Sequence, residues 1–182
     1  KPLSPYAITK YVNELYADVF AKTYGIETIG LRYFNVFGRK QDANGAYAAV
    51  IPKFIGKLMN LESPVVNGDG SYSRDFTYID NIIQLNLLSL VADKKAINKV
   101  YNAAFGERNT LKDLTVLLKD ELSKFDKKII DVPIKYGTER LGDVPHSHAS
   151  INKAKELLNY NPKYSLQKGL QESVKWYWEN LK

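Results

Sequence analysis

The spacing of apolar residues alternates along this chain between a helical and an extended pattern. Apolar side chains recur at helical spacing over Pro5–Tyr24, which predicts an amphipathic helix. Ser4 and Pro5 suit the start of that helix, and Gly25 suits its end. Residues 28–33 then form a short apolar run that is typical of a strand buried on both faces. Strands that alternate with amphipathic helices predict an α/β fold.

The same alternation continues to the end of the chain, and no linker rich in proline or serine divides it. Further helices are predicted at residues 48–60, 80–92, 110–125, 151–158 and 166–181. Further short strands are predicted at residues 74–79, 100–104 and 129–132. Asp80, Thr110 and Ser165 are the predicted N-terminal caps of three of these helices.

The composition excludes several classes of protein. The 182 residues include no cysteine, so no disulfide framework is possible. No apolar run reaches about 18 residues, the length that a membrane-spanning helix needs. The net charge of +6 comes mostly from scattered lysines without a basic run. That pattern does not favour nucleic-acid binding, and we expect no nucleic-acid and no membrane partner.

Arginine is scarce, so each arginine is a candidate for a specific role. A guanidinium can hold a phosphate or a carboxylate through two parallel hydrogen bonds, whereas a lysine acts as a point charge. The five arginines are Arg32, Arg39, Arg74, Arg108 and Arg140.

Tyr6 and Lys10 lie four residues apart in the first predicted helix, so they share one helix face. An ammonium group beside a phenol favours the phenolate, the form that a general base needs. Such pairs also arise by chance, and the alternative is a surface tyrosine beside a surface lysine. Tyr164 and Lys168 have the same spacing, and we interpret them as a surface pair.

Several short motifs follow Tyr6 and Lys10 along the chain. They are LRYFNVFG at 31–38, SRDF at 73–76, YID at 78–80, YNA at 101–103 and RLGD at 140–143. In this order they resemble the C-terminal part of extended short-chain dehydrogenase/reductases, and among these the NAD-dependent nucleotide-sugar 4-epimerases. The resemblance extends from Leu3 to about Trp178. It is strongest to bacterial UDP-N-acetylglucosamine 4-epimerases of surface-polysaccharide pathways.

The resemblance implies a fold and a division into two parts. The expected fold is the C-terminal part of a Rossmann-type fold, with late strands and helices of the parallel sheet and a smaller nucleotide-sugar-binding domain. Residues 1–46 and 78–105 would end the Rossmann domain, and residues 47–77 and 106–182 would form the sugar domain. The sequence holds no Gly-rich dinucleotide turn. We therefore expect that the N-terminal NAD-binding half is absent and that this polypeptide alone does not turn over. It should be aggregation-prone, self-associating or paired with its missing half.

The resemblance also implies a mechanism and a set of site residues. Tyr6 would remove the proton of the sugar 4-hydroxyl while NAD, a retained cofactor, takes and returns the C4 hydride. Lys10 would stabilise the phenolate and, with Tyr6 and Tyr33, contact the cofactor. Arg74 and Arg140 would hold the UDP diphosphate.

Further positions match substrate contacts of the family. Asp143 would bind the uridine ribose, Asn35 and Gln41 would contact the sugar, and Ala49 and Val50 would contact uracil through their backbones. Arg32 and Arg39 are expected to have structural roles. Ser147 matches a position that limits sugar size, and a small residue there implies a preference for UDP-N-acetylglucosamine and UDP-N-acetylgalactosamine.

Several alternatives stay open at the level of the sequence. The reaction could be that of a UDP-glucose 4-epimerase, a sugar-nucleotide dehydratase or a decarboxylase, and the polypeptide alone could be a non-catalytic nucleotide-sugar-binding module. The resemblance implies a cytoplasmic homodimer formed through the Pro5–Tyr24 helix. His146 and His148 are interpreted as loop residues and no metal site is expected. Residues 176–178, an aromatic run, are predicted to pack in the core or at an interface.

Overall fold

The structure, a computed structural model, describes residues 2–42, 49–139 and 144–181 and has the predicted α/β organisation. The helices of these residues are α1 (Pro5–Tyr24), α2 (Val50–Met59), α3 (Ile79–Leu90), α4 (Leu111–Ser123), α5 (Asn152–Leu158) and α6 (Leu166–Asn180). The strands are β1 (Ile29–Tyr33), β2 (Val36–Phe37), β3 (Val65–Asn67), β4 (Ser73–Arg74), β5 (Thr77–Tyr78), β6 (Lys99–Ala103), β7 (Asn109–Thr110) and β8 (Lys135–Gly137).

The strands pair in twos, and most pairs are parallel. β1 runs parallel to β6, in a register that sets Ile29 opposite Lys99 and Tyr33 opposite Ala103. β2 and β5 are also parallel, as are β3 and β8, whereas β4 and β7 are antiparallel. Because β1 and β6 are parallel, the residues that follow both strands meet at one edge. That edge carries the candidate site described below.

Helix α1 has the predicted ends but no buried residue. The Ser4 hydroxyl accepts a hydrogen bond from the Ala7 N–H at 3.1 Å, and Gly25 takes the left-handed conformation with φ of 68°. None of its apolar side chains is buried in this chain. β1 is likewise only half-buried or exposed, so the prediction that it is buried on both faces is wrong for this chain. The physical reason is that, among the described strands, β1 pairs on one side only, with β6.

The buried apolar residues form two clusters. The first lies between α2, α4 and α6, and Leu58, Leu118 and Leu170 are fully buried in it. The second lies between α3, β6 and α5, around Leu85 and Tyr101. Core packing of the aromatic run at 176–178 is confirmed, because Tyr177 is buried in the first cluster and both tryptophans pack against it. The predicted domain boundaries stay a prediction.

Three local predictions are wrong. Residues 74–79 are not one strand but β4 and β5, which belong to different sheets, because the Asp75 side chain between them accepts backbone N–H groups of distant segments. Residues 129–132 are not a strand, since Lys127–Asp131 is a 3-10 helix that begins where the Asp126 carboxylate accepts the Lys128 N–H. Asp80 is not a cap but lies in the first turn of α3, which begins at Ile79.

Candidate active site

A cavity of about 160 Å³ lies between the end of β1, strand β2 and the first turn of α2. Three of its residues, Asn35, Ala49 and Val50, are predicted substrate contacts. The helix start at Ala49 has no side-chain cap among the described residues, so no such side chain occupies the Val50 and Ile51 N–H groups that precede Pro52. The remaining lining residues are apolar: Val36, Phe37, Ile51 and Phe76.

Asn35, two residues after the end of β1, has an unusual backbone conformation. Its φ of 36° lies in the left-handed region, which asparagine tolerates better than most residues. Its Nδ2 donates to the Asp75 carbonyl oxygen at 3.3 Å, and its own carbonyl accepts the Thr77 N–H. Strained backbone that is held by several hydrogen bonds is typical of functional sites. The structure thus places Asn35 in the cavity with its side chain oriented.

Gln41 and Tyr33 lie near the same strands, each with a bonded side chain. Gln41 Nε2 donates to the Val36 carbonyl at 3.3 Å, while its buried Oε1 has no hydrogen-bond partner. The backbone carbonyl oxygen of Gln41 accepts a hydrogen bond from the hydroxyl of Tyr177. The Tyr33 hydroxyl donates to Asn86 Oδ1 at 3.1 Å, and its ring is half exposed. The Gln41 side-chain oxygen is therefore a buried acceptor without a partner, whereas the Tyr33 hydroxyl is engaged.

Tyr6 and Lys10 share one face at the start of α1, as their spacing predicts. Lys10 Nζ lies 5.2 Å from the centroid of the Tyr6 ring, and Tyr6 is 71% exposed. In the described part of the chain, neither the Tyr6 hydroxyl nor Lys10 Nζ has a hydrogen-bond partner. Both groups are exposed and are therefore accessible to a ligand.

An ion pair joins the middle of α1 to β1. Arg32 in β1 donates two hydrogen bonds of 2.6 Å to the Glu14 carboxylate. This pairing lowers the pKa of Glu14 and raises that of Arg32. Since α1 rises about 1.5 Å per residue, Lys10 lies roughly 6 Å and Tyr6 roughly 12 Å further along the axis from Glu14. The helix reverses into β1 through residues 25–28, so its start points toward the edge where β1 ends.

Arg39 also has a carboxylate partner. Its Nη2 donates to both Asp80 oxygens at 2.9 and 3.2 Å, and its guanidinium lies over the Tyr78 ring. Burial raises the pKa of Tyr78 to about 12. Arg39 and Arg32 are therefore bound to acids of the fold itself, which agrees with the structural roles expected for them.

Arg74 and Arg108 are anchored differently, on Ser73. Arg74 Nη1 donates to the Ser73 carbonyl at 2.9 Å and the Pro145 carbonyl at 3.2 Å, and Arg108 Nε donates to Ser73 Oγ at 2.7 Å. Neither arginine forms an ion pair with a described carboxylate. In particular, Arg74 does not pair with the carboxylate of its neighbour Asp75, which bonds to backbone N–H groups instead. Both guanidinium groups thus bond to Ser73, and their remaining N–H groups can donate to an anion.

Asp75 joins the segments around these arginines. Its buried carboxylate accepts the backbone N–H groups of Phe105, Gly106 and Ala149 at 3.1 to 3.4 Å. Burial nevertheless raises the pKa of Asp75, against the lowering effect of these hydrogen bonds and of nearby His148. Asp75 therefore ties the turn after β6 and the segment after residue 144 to the Arg74 strand.

Ser147 lies in that segment, between two bonded histidines. Its N–H donates to the Ser73 carbonyl at 3.0 Å. His146 Nδ1 lies 3.0 Å from Ser73 Oγ, and His148 Nε2 lies 3.1 Å from the Gly106 carbonyl oxygen. Both histidines lie outside helices, as predicted, but they are anchored to the fold. Arg140 and Asp143, the two other predicted substrate contacts, lie outside the described residues.

Sequence reasoning missed the polar framework of this site. Ser73, Asp75 and His146 were not assigned roles, and Arg108 was noted only as one of five arginines. The SRDF motif and the scarcity of arginine were the available signals. Hydrogen bonds between residues 73 and 146, or 75 and 149, join parts of the chain whose contact no local spacing reveals.

Within the described ranges, every helix is too short or too polar to span a membrane. Over the same residues, no three His, Cys, Asp or Glu side chains lie together in a group that could hold a metal ion.

A family model and a known relative both identify this chain as similar to epimerases. Residues 1–104 match the NAD dependent epimerase/dehydratase family. A UDP-glucuronate 4-epimerase of Thermodesulfobacterium geofontis is 34% identical over 182 residues, which cover 99% of this chain and 52% of the relative.

Solved structures show the same fold. A UDP-N-acetylglucosamine 4-epimerase from Methanobrevibacter ruminantium, in complex with UDP-N-acetylmuramic acid, is 42% identical with a TM-score of 0.89, over 98% of this chain and 55% of that one. A UDP-glucose 4-epimerase from Thermotoga maritima, with UDP-glucose, is 37% identical with a TM-score of 0.90, over 100% of this chain and 56% of that one. The chain spans about half the length of these relatives. The likeness confirms the predicted part of a Rossmann-type fold, and the chain belongs to the NAD-dependent epimerase/dehydratase family.

Proposed function

We propose that this chain forms the C-terminal part of an NAD-dependent UDP-sugar 4-epimerase and that its substrate is a UDP-N-acetylhexosamine. Two observations carry the proposal. Tyr6 and Lys10 lie side by side on one helix face. Arg74 and Arg108 both bond to Ser73 and have no carboxylate partner among the described residues. The first pair suits proton transfer from a sugar hydroxyl, and the second suits a diphosphate.

Tyr6 acts as the general base of the proposed reaction. As phenolate it removes the proton of the sugar 4-hydroxyl, and it returns that proton to the 4-oxygen when the epimer forms. The Lys10 ammonium on the same helix face stabilises the phenolate by its charge and donates to the nicotinamide ribose. When bound, NAD supplies the hydride acceptor and donor at C4. The exposed, unpartnered state of both side chains fits these contacts.

The remaining residues hold the substrate. Arg74 and Arg108 bind the diphosphate together with Arg140, and Asp143 accepts the ribose hydroxyls. The free helix start at Ala49 and Val50 contacts uracil through backbone groups. Arg108 is included because its Nε donates to the hydroxyl of Ser73, the residue before Arg74.

Asn35 and Gln41 contact the sugar in this proposal, and Tyr33 contacts the cofactor through its exposed ring. The orientation of Asn35 into the cavity and the orphaned Gln41 oxygen support the first two contacts.

Ser147 supports the acetylated substrate. Its side chain is small, and its N–H is bonded to the carbonyl of Ser73, the residue before Arg74. The similar protein from Methanobrevibacter ruminantium is a UDP-N-acetylglucosamine 4-epimerase, which agrees with this preference. UDP-glucose is the second candidate, because the similar Thermotoga maritima protein is a UDP-glucose 4-epimerase.

We also propose that the active protein is a cytoplasmic homodimer, formed through α1, that serves surface-polysaccharide synthesis. Support for the dimer comes from α1 itself. Leu15, Tyr16, Val19 and Phe20 are 43–62% exposed, which leaves an apolar helix face without a partner in this chain.

The test is a chimeric enzyme in which the unmatched N-terminal part of the Methanobrevibacter ruminantium protein precedes this chain. We expect it to convert UDP-N-acetylglucosamine to its 4-epimer faster than UDP-glucose, as followed by NMR. Tyr6→Phe should lower kcat by about 10²-fold or more, with the Kd of UDP unchanged. Binding of UDP without turnover by the unsubstituted chimera would instead make the chain a nucleotide-sugar-binding module. Unchanged turnover by Tyr6→Phe would refute Tyr6 as the base.

A further inference from the structure

The hydroxyl of Ser73 is fully buried and contacts two side chains that are far apart in sequence. Arg108 Nε donates to Ser73 Oγ at 2.7 Å, and His146 Nδ1 lies 3.0 Å from the same oxygen. Arg108 and His146 are themselves exposed. One buried oxygen thus links two surface side chains at the candidate diphosphate site.

The donors and acceptors at this oxygen determine which ring nitrogen of His146 carries the proton. A guanidinium can only donate, so Arg108 uses a lone pair of Ser73 Oγ. The hydroxyl proton of Ser73 then needs an acceptor, and His146 Nδ1 is the neighbour that can supply one. If Nδ1 carried a proton, both neighbours would donate and a buried hydroxyl proton would have no partner, which folded proteins avoid. The chain of donation therefore runs from Arg108 to Ser73 to His146, whose ring proton is on Nε2.

The backbone around His146 is bonded to the same residue. The Ser73 N–H donates to the Pro145 carbonyl at 2.9 Å, and the Ser147 N–H donates to the Ser73 carbonyl at 3.0 Å. Arg74 Nη1 reaches both of these carbonyls. Ser73 is accordingly the common anchor of both arginines and of the segment that carries Ser147.

We infer that His146 is a positioning residue for nucleotide-sugar binding, which acts through Ser73 to orient Arg108 and to hold the segment of Ser147. This inference rests on the proposed function, because the arginines need a diphosphate to bind. Without the imidazole acceptor, the Ser73 hydroxyl can rotate toward another acceptor, and Arg108 loses a fixed anchor for its Nε. His146 touches neither Tyr6 nor Lys10, so the chemical step should be unaffected.

The experiment measures UDP affinity by calorimetry and steady-state kinetics in the chimeric enzyme. His146→Ala should raise the Kd of UDP and the KM of the UDP-sugar by about tenfold, with kcat within about twofold. His146→Asn should restore most of the affinity, because its side-chain oxygen can accept from the Ser73 hydroxyl. Ser150→Ala, an exposed change in the same segment, is the matched control and should leave Kd, KM and the melting temperature unchanged.

The outcomes separate this inference from the proposed function. If the unsubstituted chimera binds no UDP, the proposed function fails. If it binds UDP and His146→Ala binds equally well, only the inference fails. The inference also fails if His146→Asn is as weak as His146→Ala, or if His146→Ala lowers kcat and the melting temperature together with the affinity, since those results indicate a merely structural role.

Discussion

Replacement of Asp75 by asparagine tests whether its negative charge stabilises the fold. The carboxylate accepts three backbone N–H groups, those of Phe105, Gly106 and Ala149. Counting these contacts alone would predict a large loss for Asp75→Asn. Burial of the carboxylate should reduce that loss of stability. It disfavours the charged form and raises the pKa of Asp75 in spite of the three donors.

The distances allow the hydrogen-bond cost to be worked out. Asp75 Oδ1 accepts from Phe105 at 3.1 Å and Gly106 at 3.3 Å, so an amide oxygen at this position keeps both bonds. Oδ2 accepts from Gly106 at 3.1 Å and from Ala149 at 3.4 Å. An amide nitrogen there leaves the Ala149 N–H unpaired and leaves Gly106 with only its longer bond to Oδ1. One unpaired buried N–H costs about 1–3 kcal/mol. The amide also removes the cost of burying a charge, so we expect Asp75→Asn to lie within about 1 kcal/mol of the parent at pH 7.

The dependence on pH has a definite sign. A carboxyl whose pKa is raised on folding binds its proton more tightly in the folded state. The stabilisation from that proton is present below the unfolded pKa, which is about 3.9, and is lost as the pH rises through the folded pKa. Asparagine does not titrate. The free energy of unfolding of the parent should therefore fall relative to that of Asp75→Asn as the pH rises from about 4.

Urea denaturation followed by tryptophan fluorescence checks both parts, since Trp176 and Trp178 pack against the larger core cluster. Asp75→Ala is the contrasting variant. It leaves all three N–H groups without an acceptor and should cost about 3 kcal/mol or more. The reasoning is refuted if Asp75→Asn costs as much as Asp75→Ala at pH 7, or if its disadvantage grows as the pH rises.

Two further predictions concern packing and specificity. Gly169→Ala should lower the free energy of unfolding by about 1–3 kcal/mol, because its Cβ would lie 2.8 Å from Phe37 and Tyr78 atoms. Gly56→Ala is its control in α2, with open space at the Cβ, and should stabilise by about 0.5–1 kcal/mol in the same urea titration; equal effects would contradict the packing argument. In the chimeric enzyme, Ser147→Tyr should raise KM for UDP-N-acetylglucosamine more than for UDP-glucose, and unchanged turnover of the acetylated sugar would sink the assigned role.

Local chemistry made the elements predictable from the sequence. The ends of α1 depend on a serine cap and on a glycine that reaches positive φ, and both signals lie within the segment itself. The predicted Thr110 cap of α4 is confirmed in the same way, with a reciprocal bond to Asp113. The shared face of Tyr6 and Lys10 also follows from helical spacing alone.

The framework of the site could not be predicted, because long-range hydrogen bonds override local patterns there. Residues 74–79 are predicted to form one strand, yet β4 and β5 belong to different sheets, and the carboxylate of Asp75 between them accepts N–H groups of residues 105, 106 and 149. In the same way, the role of His146 depends on Ser73, more than 70 residues earlier, at an oxygen it shares with Arg108. Only the folded chain brings these groups within hydrogen-bond distance.

The arginines show how the structure separates structural from ligand-binding roles. Arg32 and Arg39 each meet a carboxylate, which satisfies the guanidinium within the fold. Arg74 and Arg108 are held by neutral acceptors, the Ser73 carbonyl and hydroxyl and the Pro145 carbonyl, and neither meets a carboxylate of the described residues. Like charges placed close together repel, and an anion bound between them offsets that repulsion. An arginine that is oriented by neutral acceptors and lacks an acid is therefore better suited to a diphosphate than one already in an ion pair, which would have to break that pair to bind.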